Sequence, residues 1–309
     1  MKTVFMGTPD FASVILEYLY NSENSVELVI TQPDRAKNRG KKVTPTPVKE
    51  TALKHGTEVL QPEKIRGNLE IYERLKTVAP DIIIVAAYGQ ILPKEILELP
   101  ELGCVNVHAS LLPRLRGASP IQQAIVRGEK VTGVTIMQMS QGLDTGDMLA
   151  KAQTEIGNLN ASSLHDRLAE MGGRLLIETL EGMKKGEVNA VPQEESEATY
   201  AGLITKKDGK IDFSKSPEEI ERLIRGFDPW PGAFCMYRGE QIKIWKAFPE
   251  DEKTSMPAGC VIEASEKGIR VSCGGRILNI KEMQAPGKKR LDVSDYLRGH
   301  SVPAGSFFE

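Results

Sequence analysis

Three residues able to do chemistry stand in two short stretches of this sequence: Asn106 and His108 in "CVNVHASLLPRLRG" (residues 104–117), and Asp144 in "SQGLDTGD". Cys104, Val105 and Val107 read as a buried strand, and along a strand positions 106, 108 and 110 share one face. Asn106, His108 and Ser110 therefore project together at a strand's carboxyl end, where open α/β sheets bind ligands. A lone histidine there would read as a satisfied core residue, but two polar groups in phase point to a site. Asp144 sits between glycines in the loop after the next strand, and the same rule assigns that loop to the same sheet edge. Alone, such an aspartate is a turn residue. With His108 it makes a pair that can pass a proton.

An amide donor, an imidazole and a carboxylate suit acyl transfer. Asn106 and His108 would hold the oxyanion of a tetrahedral intermediate, and Asp144 would manage the proton. No G-x-S-x-G motif is present, and Ser110 has no evident base, so the nucleophile is expected to come from the substrate. "GTPDFAS", after the first strand, is neither G-x-G-x-x-G nor a P-loop, which removes support for NAD, FAD and ATP.

The elements that must carry these residues alternate in period. "KTVFMG", "VELVIT", "DIIIVAA", "CVNVHAS" and "GVTIMQM" read as strands, and helices are read in "DFASVILEYLYN", 68–78, "SPIQQAIVRG" and about 161–186. Strands apolar on both faces alternating with helices predict a doubly wound, mostly parallel α/β sheet over residues 1–189. The polar stretch 190–207 reads as a linker. Beyond it "SPEEIERLIRGF" carries a capping box, Ser216 with Glu219, and opens a region (208–309) of short alternating strands that predict a small open β-barrel.

With 309 residues, 40% hydrophobic and 27% charged, the chain is an ordinary globular protein with material for two cores. No apolar run approaches the roughly twenty residues of a membrane span, and the start lacks a signal-peptide core; no membrane association and a cytoplasmic location are expected. Four scattered cysteines and four histidines argue against a disulfide framework and a metal site.

"NVHASLLPRLRGASPIQQAI" followed by "GLDTGD" resembles the folate-dependent formyltransferase family. "FMGTPDFAS", "TQPDRAKNRGKKVTPTPVK", "PDIIIVAAYGQILP" and "GKIDFSKSPEEIERLIRGFDPWPGA" extend the resemblance, towards the methionyl-tRNA branch of that family, over nearly the whole chain. The resemblance implies Asn106, His108 and Asp144 as catalytic residues. It implies Ser110, Leu111, Leu112 and Pro113 as the segment binding the folate donor, with Val85 to Leu92, Tyr88 among them, as the backbone wall of the pterin pocket. It further implies 10-formyltetrahydrofolate as donor, no metal, the amine of methionyl-initiator tRNA as acceptor, a catalytic domain over 1–189, and an oligonucleotide-binding (OB-like) barrel. A monomer is expected.

The segment "RAKNRGKK" (35–42) holds five cations and no anion. Most charge runs are solvated surface, but this one is flanked by "TQPD" and "TPTP", which project it outward, and cations at a loop tip can neutralise phosphates. The resemblance sets it against the tRNA acceptor stem, with Arg39 at a key contact and Arg35, Lys41 and Lys42 beside it; "AKN" departs from the Pro and Gly residues often found there. Lys206, Lys207 and Lys210 are a second implied contact. Trp230 in "DPWPG" reads as packing.

Rival readings are a formyltetrahydrofolate hydrolase, a sugar-nucleotide formyltransferase, a glycinamide ribonucleotide formyltransferase, or a catalytically silent RNA-binding protein. The basic loop argues against the first two, residues 206–309 against the third, and the intact polar trio against the last.

Overall fold

The computed structural model describes residues 1–37 and 42–309, with the side chains of Ala36, Lys37 and Lys42 outside that set. As far as Lys185 the chain runs β1 (Lys2–Gly7), α1 (Asp10–Tyr20), β2 (Ser25–Ile30), β3 (Arg35–Lys37), β4 (Lys42–Thr44), α2 (Pro47–Lys54), β5 (Val59–Leu60), α3 (Leu69–Val78), β6 (Ile82–Ala86), α4 (Lys94–Leu97), β7 (Cys104–His108), β8 (Arg116–Gly117), α5 (Pro120–Val126), β9 (Val131–Gln138), β10 (Met148–Glu155) and α6 (Ala161–Lys185). It continues through β11 (Tyr200–Ala201), α7 (Pro217–Gly226), β12 (Ala233–Tyr237), β13 (Glu240–Lys253), β14 (Val261–Ser265), β15 (Gly268–Cys273), β16 (Arg276–Gln284), β17 (Leu291–Asp292) and α8 (Val293–Gly299). These elements form two compact units: residues 1–120, 131–155 and 165–201, and residues 121–130, 156–164 and 202–309.

The first unit is built on a seven-stranded sheet ordered β10-β9-β7-β6-β1-β2-β5. β5, β2, β1, β6 and β7 are mutually parallel, so this is a Rossmann-like, mostly parallel sheet. The reason lies in the strand sequences. Ile82, Ile83, Ile84 and Ala86 are fully buried, and a strand apolar on both faces is stable only with layers on each side. Helix boundaries follow local chemistry: the Asn68 side chain accepts from Ile71 N at 3.1 Å to start α3, which ends at Ala79 in the left-handed region.

One expectation is corrected. β9 pairs antiparallel with β7, Val105 opposite Gln138 and His108 opposite Thr135, and β10 is antiparallel to β9. The loop after β9 therefore leaves from the amino-end edge of β7, not from the carboxyl-end edge that a wholly parallel sheet would dictate.

The polar stretch read as a linker is structured up to Ala201 and belongs to the first unit. Met148 and Val191 exchange backbone hydrogen bonds at 2.8 and 2.9 Å, and β11 lies parallel to β8. Its order comes from backbone pairing with distant strands, which leaves no periodicity to read.

In the second unit β12-β13-β16-β15-β14 form an antiparallel sheet, with β17 paired to β16. This is the OB-like domain, its core made of residues such as Ile244, Val271, Leu278 and Ile280. α7 begins with the anticipated box: Ser216 accepts from Glu219 N, and the Glu219 carboxylate accepts from Ser216 N at 3.0 Å. Among the described residues no helix is long and apolar enough to cross a membrane.

Candidate active site

β7 delivers Asn106 and His108 to one face of the first unit's sheet. His108 is 6% exposed. Its Nε2 lies 3.1 Å from the Leu115 carbonyl; a carbonyl only accepts, so Nε2 carries the proton and Nδ1 is left for chemistry. Nδ1 faces the Asp144 carboxylate, with Oδ2 at 3.7 Å. That is ion-pair range without a direct hydrogen bond. Asn106 is half-buried, and its side chain has no hydrogen-bond partner among the described residues, which leaves the carboxamide free to donate.

Asp144 reaches this place by an unexpected route. Its loop starts at the far edge of β7 and folds back across the sheet, with Asp144 itself in the left-handed region (φ 52°). The same Oδ2 accepts from Gly117 N at 2.8 Å. Gly146 closes the loop: a Cβ there would collide with the Gln138 carbonyl. The structure thus brings all three polar residues of the sequence reading to one face.

The "SLLP" element continues from β7. Ser110 is fully buried, and its hydroxyl donates to the Arg114 carbonyl at 2.7 Å, so it closes a turn and is not poised as a nucleophile. Thr135 donates to the Ser110 carbonyl at 2.7 Å and accepts from Leu112 N at 3.1 Å, which ties the turn to β9. Leu112 packs with Met137 and Met148, Pro113 is buried, and Leu111 is half-buried. In the 85–92 segment Val85, Tyr88 and Leu92 point into the core, whereas Ala87, Gly89 and Ile91 are exposed. Thr8 and the Gln32 amide both donate to the Tyr88 carbonyl, at 3.0 and 3.3 Å. The surface open to a ligand is consequently the backbone from 87 to 91 with the Ile91 side chain.

Residues 1–180 match the formyl transferase family, and residues 203–301 match the formyl transferase C-terminal domain. The methionyl-tRNA formyltransferase of Caldanaerobacter subterraneus subsp. tengcongensis is 47% identical over 310 residues, covering 100% of both chains. This chain belongs to the formyl transferase family. The methionyl-tRNA formyltransferase of Clostridium novyi is 49% identical over 303 residues, 98% of each chain. Among solved structures, the N-formyltransferase of Helicobacter canadensis, in complex with folinic acid and dTDP-3-aminofucose, superposes with TM-score 0.68 at 19% identity over 94% of this chain and 100% of that one. At that identity the likeness speaks for the fold.

The basic residues of this formyl transferase divide between its units. In the first, Arg35 is exposed at the start of β3. Arg39 and Lys41 lie outside the described residues, as does the Lys42 side chain. In the second, Lys206 and Lys207 are exposed on a 3₁₀ turn and Lys210 is exposed just after it. A cationic group missed in the sequence lies in the same unit. Arg290 stacks on Trp245, its guanidinium carbon 3.4 Å from the ring centroid, with Lys243 Nζ at 5.1 Å. Burial first, then the charges of Arg290 and Lys206, holds the Lys243 pKa below its ordinary value. Lys243 and Arg290 are 47 residues apart in sequence, so no local charge run announces them. Trp230 is 49% exposed. Among the described residues no group of three or more His, Cys, Asp or Glu could hold a metal ion.

Proposed function

We infer that this formyl transferase moves the formyl group of 10-formyltetrahydrofolate to the free α-amine of methionyl-initiator tRNA, the modification used in translation initiation. The observation that carries the chemistry is the pairing of buried His108 with half-buried Asp144 at 3.7 Å, beside an available Asn106 carboxamide. The full-length relatives named methionyl-tRNA formyltransferase support the choice of acceptor.

The neutral amine attacks the formyl carbon, forming a C–N bond and placing negative charge on the formyl oxygen. Asn106 donates to that oxyanion, and so does His108 in the imidazolium form, in which Nδ1 as well as Nε2 carries a proton; a preorganised donor of this kind is worth about 10²–10³ in rate. The Asp144 carboxylate takes the proton that the attacking nitrogen sheds. Collapse of the intermediate breaks the bond to N10 of the folate, and that nitrogen leaves with a proton, so the protons balance. Ser110 to Pro113 and the 85–92 segment would shape the donor pocket. The first unit would be the catalytic domain. The second, with Lys206, Lys207 and Lys210, would bind tRNA together with Arg35, Arg39, Lys41 and Lys42. The enzyme would act as a monomer in the cytoplasm.

The test is formyl transfer from 10-formyltetrahydrofolate to purified methionyl-initiator tRNA, with uncharged tRNA and free methionine as controls. Product on the charged tRNA alone supports the reading. Formate released regardless of tRNA would replace it with a hydrolase.

A further inference from the structure

Three consecutive residues hold the catalytic pair from one side. The Leu115 carbonyl accepts from His108 Nε2 at 3.1 Å, and Gly117 N donates to the Asp144 carboxylate at 2.8 Å. Between them Arg116 is 1% exposed, a charge that must be paired where it is buried. Its Nη1 donates to both oxygens of Glu195, at 3.0 and 2.9 Å, and its Nε donates to Gln193 Oε1 at 3.1 Å. Because a guanidinium only donates, this contact fixes which end of the Gln193 amide faces Arg116. Its Nε2 is thereby aimed the other way, and donates at 2.7 Å to the carbonyls of both Asp144 and Gly146.

Asp144 is a non-glycine residue in the left-handed region, a conformation that persists only where its surroundings enforce it. We propose that Gln193, oriented by Arg116 and Glu195, is a positioning residue that pins the 144–146 backbone so that the Asp144 carboxylate meets Gly117 N and His108. Among the described residues the carboxylate accepts one hydrogen bond, from Gly117 N, and the backbone that carries it is clamped by Gln193 at two points. The proposal rests on the reading of Asp144 as the group that handles the proton. It also assigns a task to the polar stretch after α6: the 193–201 segment braces the active site, Gln193 through the loop and β11 through β8.

The test is a double-mutant cycle on the full chain, read by single-turnover formyl transfer with both substrates saturating. Gln193→Met keeps length and loses every hydrogen bond; Gln193→Glu keeps the acceptor for Arg116 and loses the two donors. Each is expected to lower turnover about 10- to 100-fold, as a displaced catalytic group does, while KM for folate and tRNA stays within about twofold. In an Asp144→Asn background the same substitutions should cost nothing further, because Gln193 acts through Asp144. Parental turnover in both Gln193 variants would overturn the proposal, and so would an equal loss in the Asp144→Asn background. If Gln193→Met fails to fold, Gln193→Glu carries the cycle. Full turnover in Asp144→Asn itself is a separate result: it defeats the reading of Asp144 and the proposal with it.

Discussion

The carboxylate oxygen of Asp144 that lies 3.7 Å from His108 Nδ1 is the same atom that accepts from Gly117 N at 2.8 Å. One oxygen thus faces both a fixed backbone donor and the imidazole, and the Gly117 contact locates the carboxylate beside the ring.

His108→Ala removes one of the two oxyanion donors proposed above. Turnover should fall about 10²–10³-fold, while 10-formyltetrahydrofolate binding, followed by fluorescence titration or calorimetry, stays near parental. An equal loss of folate affinity would assign His108 to donor binding instead.

Gly117 has φ +110°, and a Cβ there would stand 2.8 Å from the Ala201 carbonyl. Gly117→Ala must therefore strain the backbone or part β8 from β11, at a cost of about 1–3 kcal/mol. Urea unfolding should show that loss, and turnover should fall as well, because the N–H facing Asp144 moves with the strand. A variant with unchanged stability and activity would show that the β8–β11 contact does not matter to the site.

Asp34 accepts from Lys49 Nζ and Gln61 Nε2, both at 2.6 Å. Those two hydrogen bonds, Lys49 first, hold its pKa below the ordinary 3.8. A depressed carboxylate contributes stability above its unfolded pKa and loses that contribution as the pH falls through the folded one. The stability gap between parent and Asp34→Asn should be flat above about pH 5 and narrow below about pH 4, the unfolded value being about 3.9. Unfolding curves at pH 7, 5 and 3.5 check this, and a gap that widens on acidification would refute it.

Arg35→Ala and Arg39→Ala should each weaken tRNA use, lower the salt slope of tRNA binding by about 1, and spare folate affinity. Filter binding across a salt series reads the slope. No change in either variant would leave the 35–42 segment as solvated surface.

Much of this protein is legible along the chain because the physics is local. The alternation of Asn106 and His108 in an apolar strand, the all-apolar β6 and the Ser216–Glu219 box each depend on residues within a few positions of one another. They set helix starts, buried strands and two of the three catalytic candidates. In the 85–92 segment the side chains of Val85, Tyr88 and Leu92 fill the core, while Ala87, Gly89 and Ile91 between them are exposed.

Tertiary structure decided what depends on distant partners. A strand's sequence does not encode its direction, and β9 runs antiparallel because of the strand it joins, so Asp144 arrives from the opposite edge by folding back. Lys243 and Arg290 become neighbours only when β13 and the chain near β17 meet around Trp245. Gln193 sits 77 residues from Arg116 and 49 from Asp144, in a stretch whose composition reads as linker. Its role comes from hydrogen bonds to backbone carbonyls, which every residue type carries alike. The residue types of the candidate trio were therefore set by sequence, and their placement by backbone pairing that sequence pattern does not record.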